Sequence, residues 1–295
     1  MDSNQKAKIA GAQGFVAALD QSGGSTPKAL RLYGIPEEQY SGDAEMFDRV
    51  HAMRERIVMS PSFDGDRILA TILFEQTMDR TFDGVPAAEY LWESKRIVPI
   101  LKVDQGLQAE AHGVRLMKPM ERLDDLLERA RAQGIFGTKM RSVVSSADAG
   151  GIAANVAQQF EYAEQIADAG FVPILEPEVD IKASDKDECE HLVLEEIMSR
   201  LDSGWSGAPI MFKLTLPEED GLYTDLVAHA AVLRVVALSG GYTRDEACQR
   251  LARQPGVVAS FSRALTEGLR VDQSDADFDA TLDASIAQIY AASVT

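Results

Sequence analysis

Cysteine, histidine and tryptophan are scarce in this 295-residue sequence, which contains two, four and two of them respectively. The low cysteine count excludes a secreted scaffold held by several disulfides, so we expect Cys189 and Cys248 to be reduced thiols. None of the histidines has the His-x-x-x-His or His-Glu-x-x-His spacing of a zinc site. A zinc-dependent mechanism therefore has no support in the sequence.

Long apolar runs and an excess of positive charge are also missing. No stretch of 18 or more apolar residues occurs, and the sequence up to Asp20 lacks the charged and apolar regions of a signal peptide. We therefore expect no membrane span and a cytoplasmic location. The 47 acidic and 29 basic residues give a formal net charge of −18, which disfavours nucleic acid and anionic membranes as partners. A small anionic substrate is still compatible, because a few clustered cations can dominate a cleft.

Short apolar runs and longer segments of helical periodicity alternate along the whole chain. The runs are nearly continuous, which is typical of parallel strands buried on both faces. Eight such runs lie at residues 14–20, 67–75, 97–104, 134–142, 171–179, 208–216, 232–241 and 257–265. Helices are expected at residues 44–60, 86–95, 120–133, 152–169, 185–203, 218–230, 243–253 and 275–292.

This alternation predicts an α/β protein, a single-domain (β/α)8 TIM barrel over residues 1–295. No linker or change of composition divides the chain, and a C-terminal helix and tail occupy about residues 275–295. The alternative is a doubly wound open sheet. It lacks its usual nucleotide signature, because no Gly-x-Gly-x-x-Gly or Gly-x-x-x-x-Gly-Lys-[Ser/Thr] motif follows any run.

Charged residues collect near the carboxyl ends of these runs, where barrel enzymes carry their chemistry. Residues two apart in a strand share a face, so charges spaced in this way would converge at the barrel mouth if that face points inward. The residues concerned are Asp20, Lys102, Asp104, Lys139, Arg141, Glu176, Glu178, Lys213 and Arg263. The alternative for the lysines is a set of structural ion pairs at strand ends.

Lys213 is the most informative of these residues, since it lies between strongly apolar neighbours in PIMFKLTL. Desolvation disfavours an ammonium group, and we expect burial to lower the pKa of this lysine. An uncharged lysine can attack a carbonyl and form a Schiff base, which makes the adjacent C–C bond easier to break. The alternative is a strand-end lysine that reaches solvent.

Two glycine-rich turns are candidate phosphate sites. Ser239, Gly240 and Gly241 come just before a predicted helix, where backbone N–H groups can bind an anion. Arg263, in the next run, has a guanidinium suited to phosphate oxygens. Ser22 and Ser25 enclose a similar turn after the first run. The alternative in both places is an ordinary turn between a strand and a helix.

The sequence resembles class I fructose-1,6-bisphosphate aldolase, the Schiff-base family of glycolysis and gluconeogenesis. The similar segments follow the order of the barrel strands and cover most of the chain. They are ALDQSGGS, LKVDQG, GTKMRS, VPILEPEVD, MFKLTLPEED, ALSGGYTRDEA and ASFSRAL. The resemblance implies a metal-independent lyase without an organic cofactor, which cleaves fructose 1,6-bisphosphate to dihydroxyacetone phosphate and glyceraldehyde 3-phosphate.

The same resemblance implies roles for individual residues. Lys213 would form the Schiff base, Glu176 would move protons during its formation, and Asp20 would take the proton of the C4 hydroxyl. Lys139 would assist imine formation, and Glu178 would order the neighbouring charges, including Lys139. The implied substrate-binding residues are Lys102, Arg141, Ser239, Gly240, Gly241, Arg263, Ser22 and Ser25.

The sequence also departs from the longer animal members of the family. Gln21 follows the first-strand aspartate where many members have Glu, and the chain ends in IYAASVT without the terminal tyrosine. This shorter form resembles the bacterial branch, and a monomer and a homo-oligomer are both compatible with it. Two other functions are open: another Schiff-base barrel, such as a transaldolase or a deoxyribose-phosphate or tagatose-type aldolase, and a scaffold in which catalysis is incidental.

Overall fold

Eight parallel strands form a closed barrel in the computed structural model, which describes residues 2–205 and 208–295. The strands are β1 (Phe15–Leu19), β2 (Ile68–Leu73), β3 (Val98–Lys102), β4 (Gly137–Val144), β5 (Val172–Val179), β6 (Ile210–Thr215), β7 (Val232–Leu238) and β8 (Val258–Phe261). Each strand pairs with the next in parallel, β8 pairs with β1, and β3 pairs with β4 to complete the ring. The predicted TIM barrel is confirmed, and each predicted apolar run overlaps one barrel strand, with β4 extending past the end of its run to Val144.

Helices surround the barrel between successive strands. They are α1 (Ser3–Gly11), α2 (Ser25–Tyr33), α3 (Gly42–Met59), α4 (Glu75–Met78), α5 (Ala87–Glu89), α6 (Leu123–Ala132), α7 (Ala149–Asp168), α8 (Lys186–Gly204), α9 (Thr224–Ala228), α10 (Arg244–Leu251), α11 (Arg263–Thr266) and α12 (Asp275–Ser293). A π-helical turn, Tyr90–Ser94, follows α5, and a 3-10 turn, Glu37–Gln39, follows α2. Short strands Thr81–Phe82 and Val85–Pro86 form a hairpin, and Val114–Arg115 adds to the edge of β4.

Alternate residues of most strands pack into two separate apolar clusters. One cluster fills the barrel interior, and the other lies between the strands and the surrounding helices. The interior cluster includes Val16, Ala18, Ala70, Ile72, Val98, Ile100, Val172, Ile174, Met211, Val236 and Val258. This alternation follows from the two-residue period of a strand, and it decides which side chains point into the barrel mouth.

The helices differ from the sequence prediction at several places. The helix expected at residues 218–230 is reduced to α9, because Gly221 adopts a left-handed φ of 77° and its N–H donates to the side chain of Gln254. Helices α2, α4 and α11 were not predicted, and neither was α1. Helix α1 covers the amino-terminal end of the barrel, where Ile9 joins the interior cluster and Arg234 donates to the carbonyl of Ile9 at 2.8 Å.

Candidate active site

The charged residues at the carboxyl ends of the strands lie on the same face as the apolar residues that fill the barrel interior. Asp20 follows Val16 and Ala18 in steps of two, and Lys213 lies two residues after Met211. Lys102 and Glu176 follow the interior residues of β3 and β5 by the same step. The two-residue period of the strands therefore brings charges from four strands into the barrel mouth.

Four of the candidate catalytic residues form one continuous ion-paired cluster. Lys213 Nζ lies 3.0 Å from Glu176 Oε1, and Lys139 Nζ lies 2.9 Å from Glu176 Oε2. Lys139 Nζ is also 2.6 Å from Asp20 Oδ2. All four side chains are nearly or fully withdrawn from solvent. The arrangement places two ammonium groups and two carboxylates in a dry site, alternating in sign.

The ion pairs keep Asp20 and Lys139 charged in spite of their burial. Burial alone would raise the pKa of Asp20, but Lys139, Lys213 and Lys102 together lower it well below its ordinary value. Burial alone would lower the pKa of Lys139, but Asp20, Glu176 and Asp104 together raise it above its ordinary value. Asp20 is therefore a carboxylate at neutral pH, as a proton acceptor must be.

Lys213 and Glu176 together have the composition of an activated nucleophile. A lysine becomes nucleophilic when its ammonium group loses a proton, and the carboxylate 3.0 Å away can accept that proton. Removal from water strengthens each electrostatic interaction in such a site. The pair can therefore carry out carbonyl attack and the proton transfers that imine formation requires.

Lys102 and Arg141 belong to a second charged group beside the first. Lys102 Nζ lies 2.6 Å from Asp104 Oδ1, and the other oxygen of that carboxylate accepts from the backbone N–H of Arg141. Burial lowers the pKa of Lys102, with Asp104 opposing the shift. The Arg141 guanidinium pairs with Glu178, so Glu178 contacts Arg141, whereas Lys139 is held by Asp20 and Glu176. Glu178 is thus paired directly with one of the neighbouring charges, Arg141, and its ordering effect on Lys139 stays a prediction.

The turn after β7 and the segment after β8 come together at the barrel mouth. Ser239 is buried, and Gly240 and Gly241 both have left-handed φ values, of 60° and 129°. A Cβ at position 241 would lie 3.5 Å from Arg263 Nη2, so the guanidinium lies directly against this glycine. The N–H groups of Gly241 and Tyr242 donate within the turn, to the carbonyl of Ser239. The N–H of Gly240 makes no such bond in the part of the chain that the structure describes, and its position beside an arginine suits a phosphate.

The turn between β1 and α2 is separate from these contacts. Ser25 Oγ donates to the carbonyl of Ser22 at 2.8 Å and accepts from the backbone N–H of Ser22 at 3.0 Å. These bonds close the turn locally. The turn follows directly after Asp20 and Gln21, so Ser22 and Ser25 lie at the same end of the barrel as the charged cluster.

A buried arginine near Asp20 is the main feature that the sequence analysis missed. Arg54 of α3 is 1% exposed, and it donates to Thr77 Oγ1 at 2.7 Å and to the carbonyl of Gln21 at 2.5 Å. Burial lowers its pKa to about 10, and Asp20 opposes that shift. Its position in the sequence could have indicated its burial, because Arg54 falls on the same face of α3 as Val50 and other buried residues.

A separate cavity lies away from this site, at the opposite end of the barrel. It encloses about 540 Å³, and its lining includes Trp92, Arg131 and Phe171, which begin or precede strands rather than follow them. Chemistry in TIM barrels is found at the other end. Within residues 2–205 and 208–295, no group of three His, Cys, Asp or Glu side chains is arranged to hold a metal ion.

Comparisons with known proteins agree with one another. The family model described as fructose-bisphosphate aldolase class-I matches residues 4–215. A fructose-bisphosphate aldolase class 1 of Synechocystis is 58% identical over 294 residues, which cover 100% of this chain and 98% of the relative. A protein of the same name from Clostridium acetobutylicum is 52% identical over 295 residues, with 100% of both chains covered.

A solved structure supports the fold independently of close sequence similarity. Fructose-bisphosphate aldolase from Plasmodium falciparum, solved in complex with TRAP and a small-molecule inhibitor, has a TM-score of 0.70 to this chain at 20% identity. The match covers 98% of this chain and 92% of the other. At this level of identity the similarity establishes the barrel architecture.

Proposed function

The chain belongs to the class I fructose-bisphosphate aldolase family, and from this premise we propose that it cleaves fructose 1,6-bisphosphate reversibly through a Schiff base on Lys213. The products are dihydroxyacetone phosphate and glyceraldehyde 3-phosphate. The observation that carries the assignment of the lysine is its position 3.0 Å from Glu176, inside the barrel and beside the Lys139–Asp20 ion pair. Metal ions and organic cofactors are not needed for this chemistry.

Schiff-base formation uses Lys213 and Glu176. Glu176 takes a proton from the Lys213 ammonium group, and the free amine attacks the C2 ketone to form a carbinolamine. The protonated Glu176 then returns a proton to the departing hydroxyl, which leaves as water and produces the iminium ion. Lys139, 2.9 Å from Glu176, stabilises the carboxylate form that Glu176 has before it takes the proton and after it returns one.

Carbon–carbon cleavage uses Asp20 and the electron-withdrawing iminium. Asp20 accepts the proton of the C4 hydroxyl, the C4 oxygen forms a carbonyl, and the electron pair of the C3–C4 bond moves into the iminium to give an enamine. The aldehyde product leaves. Protonation of C3 and hydrolysis of the resulting iminium then release dihydroxyacetone phosphate and restore Lys213.

Two groups of cations and N–H donors fit the two ends of a bisphosphate. Ser239, Gly240, Gly241 and Arg263 would bind one phosphate. Lys102 and Arg141, with Ser22 and Ser25 near the same mouth, would receive the other phosphate and the aldehyde that carries it. Two unit charges of opposite sign 4 Å apart attract by about 4 kcal/mol at an effective dielectric constant near 20, so local cations outweigh a distributed net charge of −18.

We place the activity in the cytoplasm, as part of glycolysis and gluconeogenesis. The buried thiols Cys189 and Cys248 are free, which fits a reducing compartment. None of the helices within residues 2–205 and 208–295 combines the length and apolar character needed to cross a bilayer. A sugar bisphosphate is the expected partner, and both a monomer and a homo-oligomer are compatible with the site, whose charged cluster comes from one chain.

Trapping of the Schiff base tests the assignment of Lys213. Borohydride added with dihydroxyacetone phosphate reduces the iminium to a stable secondary amine, so the peptide that contains Lys213 should gain the mass of the reduced adduct. Lys213→Met should give no adduct and no cleavage. Lys118→Met, which removes an exposed lysine, is the control and should retain adduct formation and cleavage. In a separate assay, EDTA should leave cleavage by the unsubstituted enzyme intact.

An adduct on another lysine would refute the role of Lys213. Strong inhibition by EDTA would refute a metal-independent mechanism. Rates measured side by side on fructose and tagatose bisphosphates would then establish the preferred C4 stereochemistry.

A further inference from the structure

Gln21 links a buried arginine to a serine at the end of β8. The side chain is 8% exposed. Arg54 Nη2 lies 3.2 Å from Gln21 Oε1, and Gln21 Nε2 lies 2.8 Å from Ser262 Oγ. Gln21, which follows Asp20, therefore connects Arg54 of α3 by hydrogen bonds to Ser262, which precedes Arg263.

The arginine determines which way the Gln21 amide faces. An arginine side chain has five N–H donors and no acceptor, so it is the amide oxygen that must face Arg54. The same guanidinium is fixed by bonds to Thr77 Oγ1 and to the carbonyl of Gln21. Among the residues that the structure describes, no carboxylate lies within ion-pair distance of Arg54, so the Gln21 oxygens are its main acceptors together with Thr77.

The amide orientation leaves the hydroxyl proton of Ser262 free. Since the Gln21 oxygen faces Arg54, its NH₂ group must donate to Ser262 Oγ, which then acts as the acceptor in that bond. Within residues 2–205 and 208–295, no acceptor is placed to take the Ser262 proton. Ser262 is only half-buried, so its hydroxyl can donate to a group that enters the mouth.

Ser262 lies next to the turn that would bind a phosphate. It follows β8 directly, two residues after the interior residue Ser260, and it precedes Arg263. Arg263 itself lies against Gly241. A free O–H donor beside the Arg263 guanidinium is suited to a phosphate oxygen, to which it makes a charge-assisted hydrogen bond.

We propose that Ser262 Oγ donates a hydrogen bond to a phosphate oxygen of the substrate, and that Gln21 is the positioning residue that keeps this proton available. The inference rests on the proposed function and adds two residues to its phosphate site. A glutamate at position 21 would act differently, because both of its oxygens accept. It would pair with Arg54 and take the Ser262 proton, which removes the donor from the phosphate.

The first test measures phosphate recognition through Schiff-base trapping. The half-saturating concentration of dihydroxyacetone phosphate should rise about fivefold to tenfold in Ser262→Ala, while that of dihydroxyacetone, which has no phosphate, should rise less than twofold. Ser262→Thr, which keeps a hydroxyl, should recover most of the loss. Ser203→Ala, at an exposed site on α8, is the matched control and should behave as the unsubstituted enzyme.

The second test asks whether Gln21 acts through Ser262. Gln21→Glu should raise the half-saturating concentration of dihydroxyacetone phosphate about tenfold or more in the unsubstituted enzyme. In the Ser262→Ala background the same change should raise it only about twofold to threefold, because the hydroxyl proton is already gone and the added negative charge alone remains. The introduced carboxylate can pair with Arg54, so we expect the variant to fold.

The outcomes separate this inference from the proposed function. Equal losses for dihydroxyacetone and its phosphate in Ser262→Ala, or independent effects of the two substitutions, would overturn the phosphate role while Lys213 is still trapped. Absence of an adduct in the unsubstituted enzyme would overturn the proposed function, and this inference with it. A selective loss, rescue by Ser262→Thr and coupling to Gln21 would establish it.

Discussion

Lys139 is the residue on which the charged cluster depends, because it bridges two carboxylates from different strands. Its Nζ lies 2.6 Å from Asp20 and 2.9 Å from Glu176, and its side chain is 3% exposed. Removal of one partner from a buried ion pair leaves the other charges uncompensated, which costs more than the pair itself contributes. The same residue therefore matters for stability and for the proton transfers in which Asp20 and Glu176 take part.

Lys139→Met should lower the free energy of unfolding by about 3 kcal/mol and reduce kcat at least about 100-fold, since about 2.7 kcal/mol of transition-state stabilisation corresponds to that factor. Urea denaturation and steady-state kinetics would measure the two effects. Lys182→Met, at an exposed position, is the control and should change neither quantity. A stable, active Lys139→Met enzyme would contradict the proposed dependence.

The pH dependence of that stability difference follows from the direction of two pKa shifts. The folded-state pKa of Asp20 is lowered, so its contribution is present above about pH 4 and is lost as the pH falls through the folded value. The pKa of Lys139 is raised, so its contribution is present below about pH 10 and is lost as the pH rises through the folded value. The difference between the unsubstituted protein and Lys139→Met should thus be largest between about pH 5 and 9 and shrink below about pH 4. A difference that grows as the solution is made more acidic than this would contradict the assignment.

At the scale of elements, the turn after β7 has a backbone that only glycine fits well. Gly240 has a φ of 60°, and a Cβ there would lie 2.5 Å from Ile181 Cγ2. Ile181 packs against the turn, and the N–H groups of Gly241 and Tyr242 both donate to the carbonyl of Ser239, which holds the N–H of Gly240 near Arg263. The turn is therefore specified by sterics as well as by backbone conformation.

Gly240→Ala should destabilise the protein by about 2 kcal/mol or more, since a left-handed alanine costs about 1–2 kcal/mol and the contact with Ile181 adds to it. It should also raise the KM for fructose 1,6-bisphosphate, because the turn must shift. Gly134→Ala is a matched control: its φ is 76°, and no atom lies within 4 Å of the added Cβ. The control should show the backbone cost alone and an unchanged KM; equal KM values in both variants would contradict a phosphate role for the turn.

Elements with a strong local pattern were predicted well, and elements stabilised by distant contacts were not. The eight strands are apolar runs whose burial on both faces is visible in the sequence. Helix α1 was missed because only two of its residues, Gln5 and Ile9, are buried. Its position depends on bonds from Arg234 and on the packing of Ile9 into the end of the barrel. Residues 218–223 were predicted as helix, but contacts with the turn that follows α10 hold them as a loop.

At the scale of the whole molecule, the C-terminal helix α12 contacts both the last barrel strand and the segment that precedes β2. Ser293 Oγ in α12 accepts from the N–H of Ala259 in β8, and Asp283 pairs with Arg67 just before β2 at 2.8 Å. Asp279 accepts from the backbone N–H of Ser62. Strand β8 also pairs with β1 through backbone hydrogen bonds, which closes the barrel. We propose on this basis that residues 1–295 behave as one domain.

Unfolding should therefore be one cooperative transition. The two tryptophans report on separate parts of the barrel, since Trp92 lies before β3 and Trp205 lies before β6. Trp92→Phe and Trp205→Phe each leave one reporter, and the urea midpoints from either tryptophan and from far-UV circular dichroism should coincide. Two separated midpoints would show that the barrel is divided into independently unfolding parts.

The sequence by itself determined the barrel and the identity of its charged residues, because both depend on patterns between near neighbours. A two-residue period carries each strand from apolar interior positions to Lys102, Glu176 or Lys213, and the family motifs name the same residues. Only the tertiary structure decided their partners. Lys139 meets Asp20 and Glu176, and Glu178 meets Arg141, because strand register and closure of the ring bring together residues far apart in the chain. The path from Arg54 through Gln21 to Ser262 was invisible for the same reason, since no local pattern encodes a hydrogen bond between residues 21 and 262.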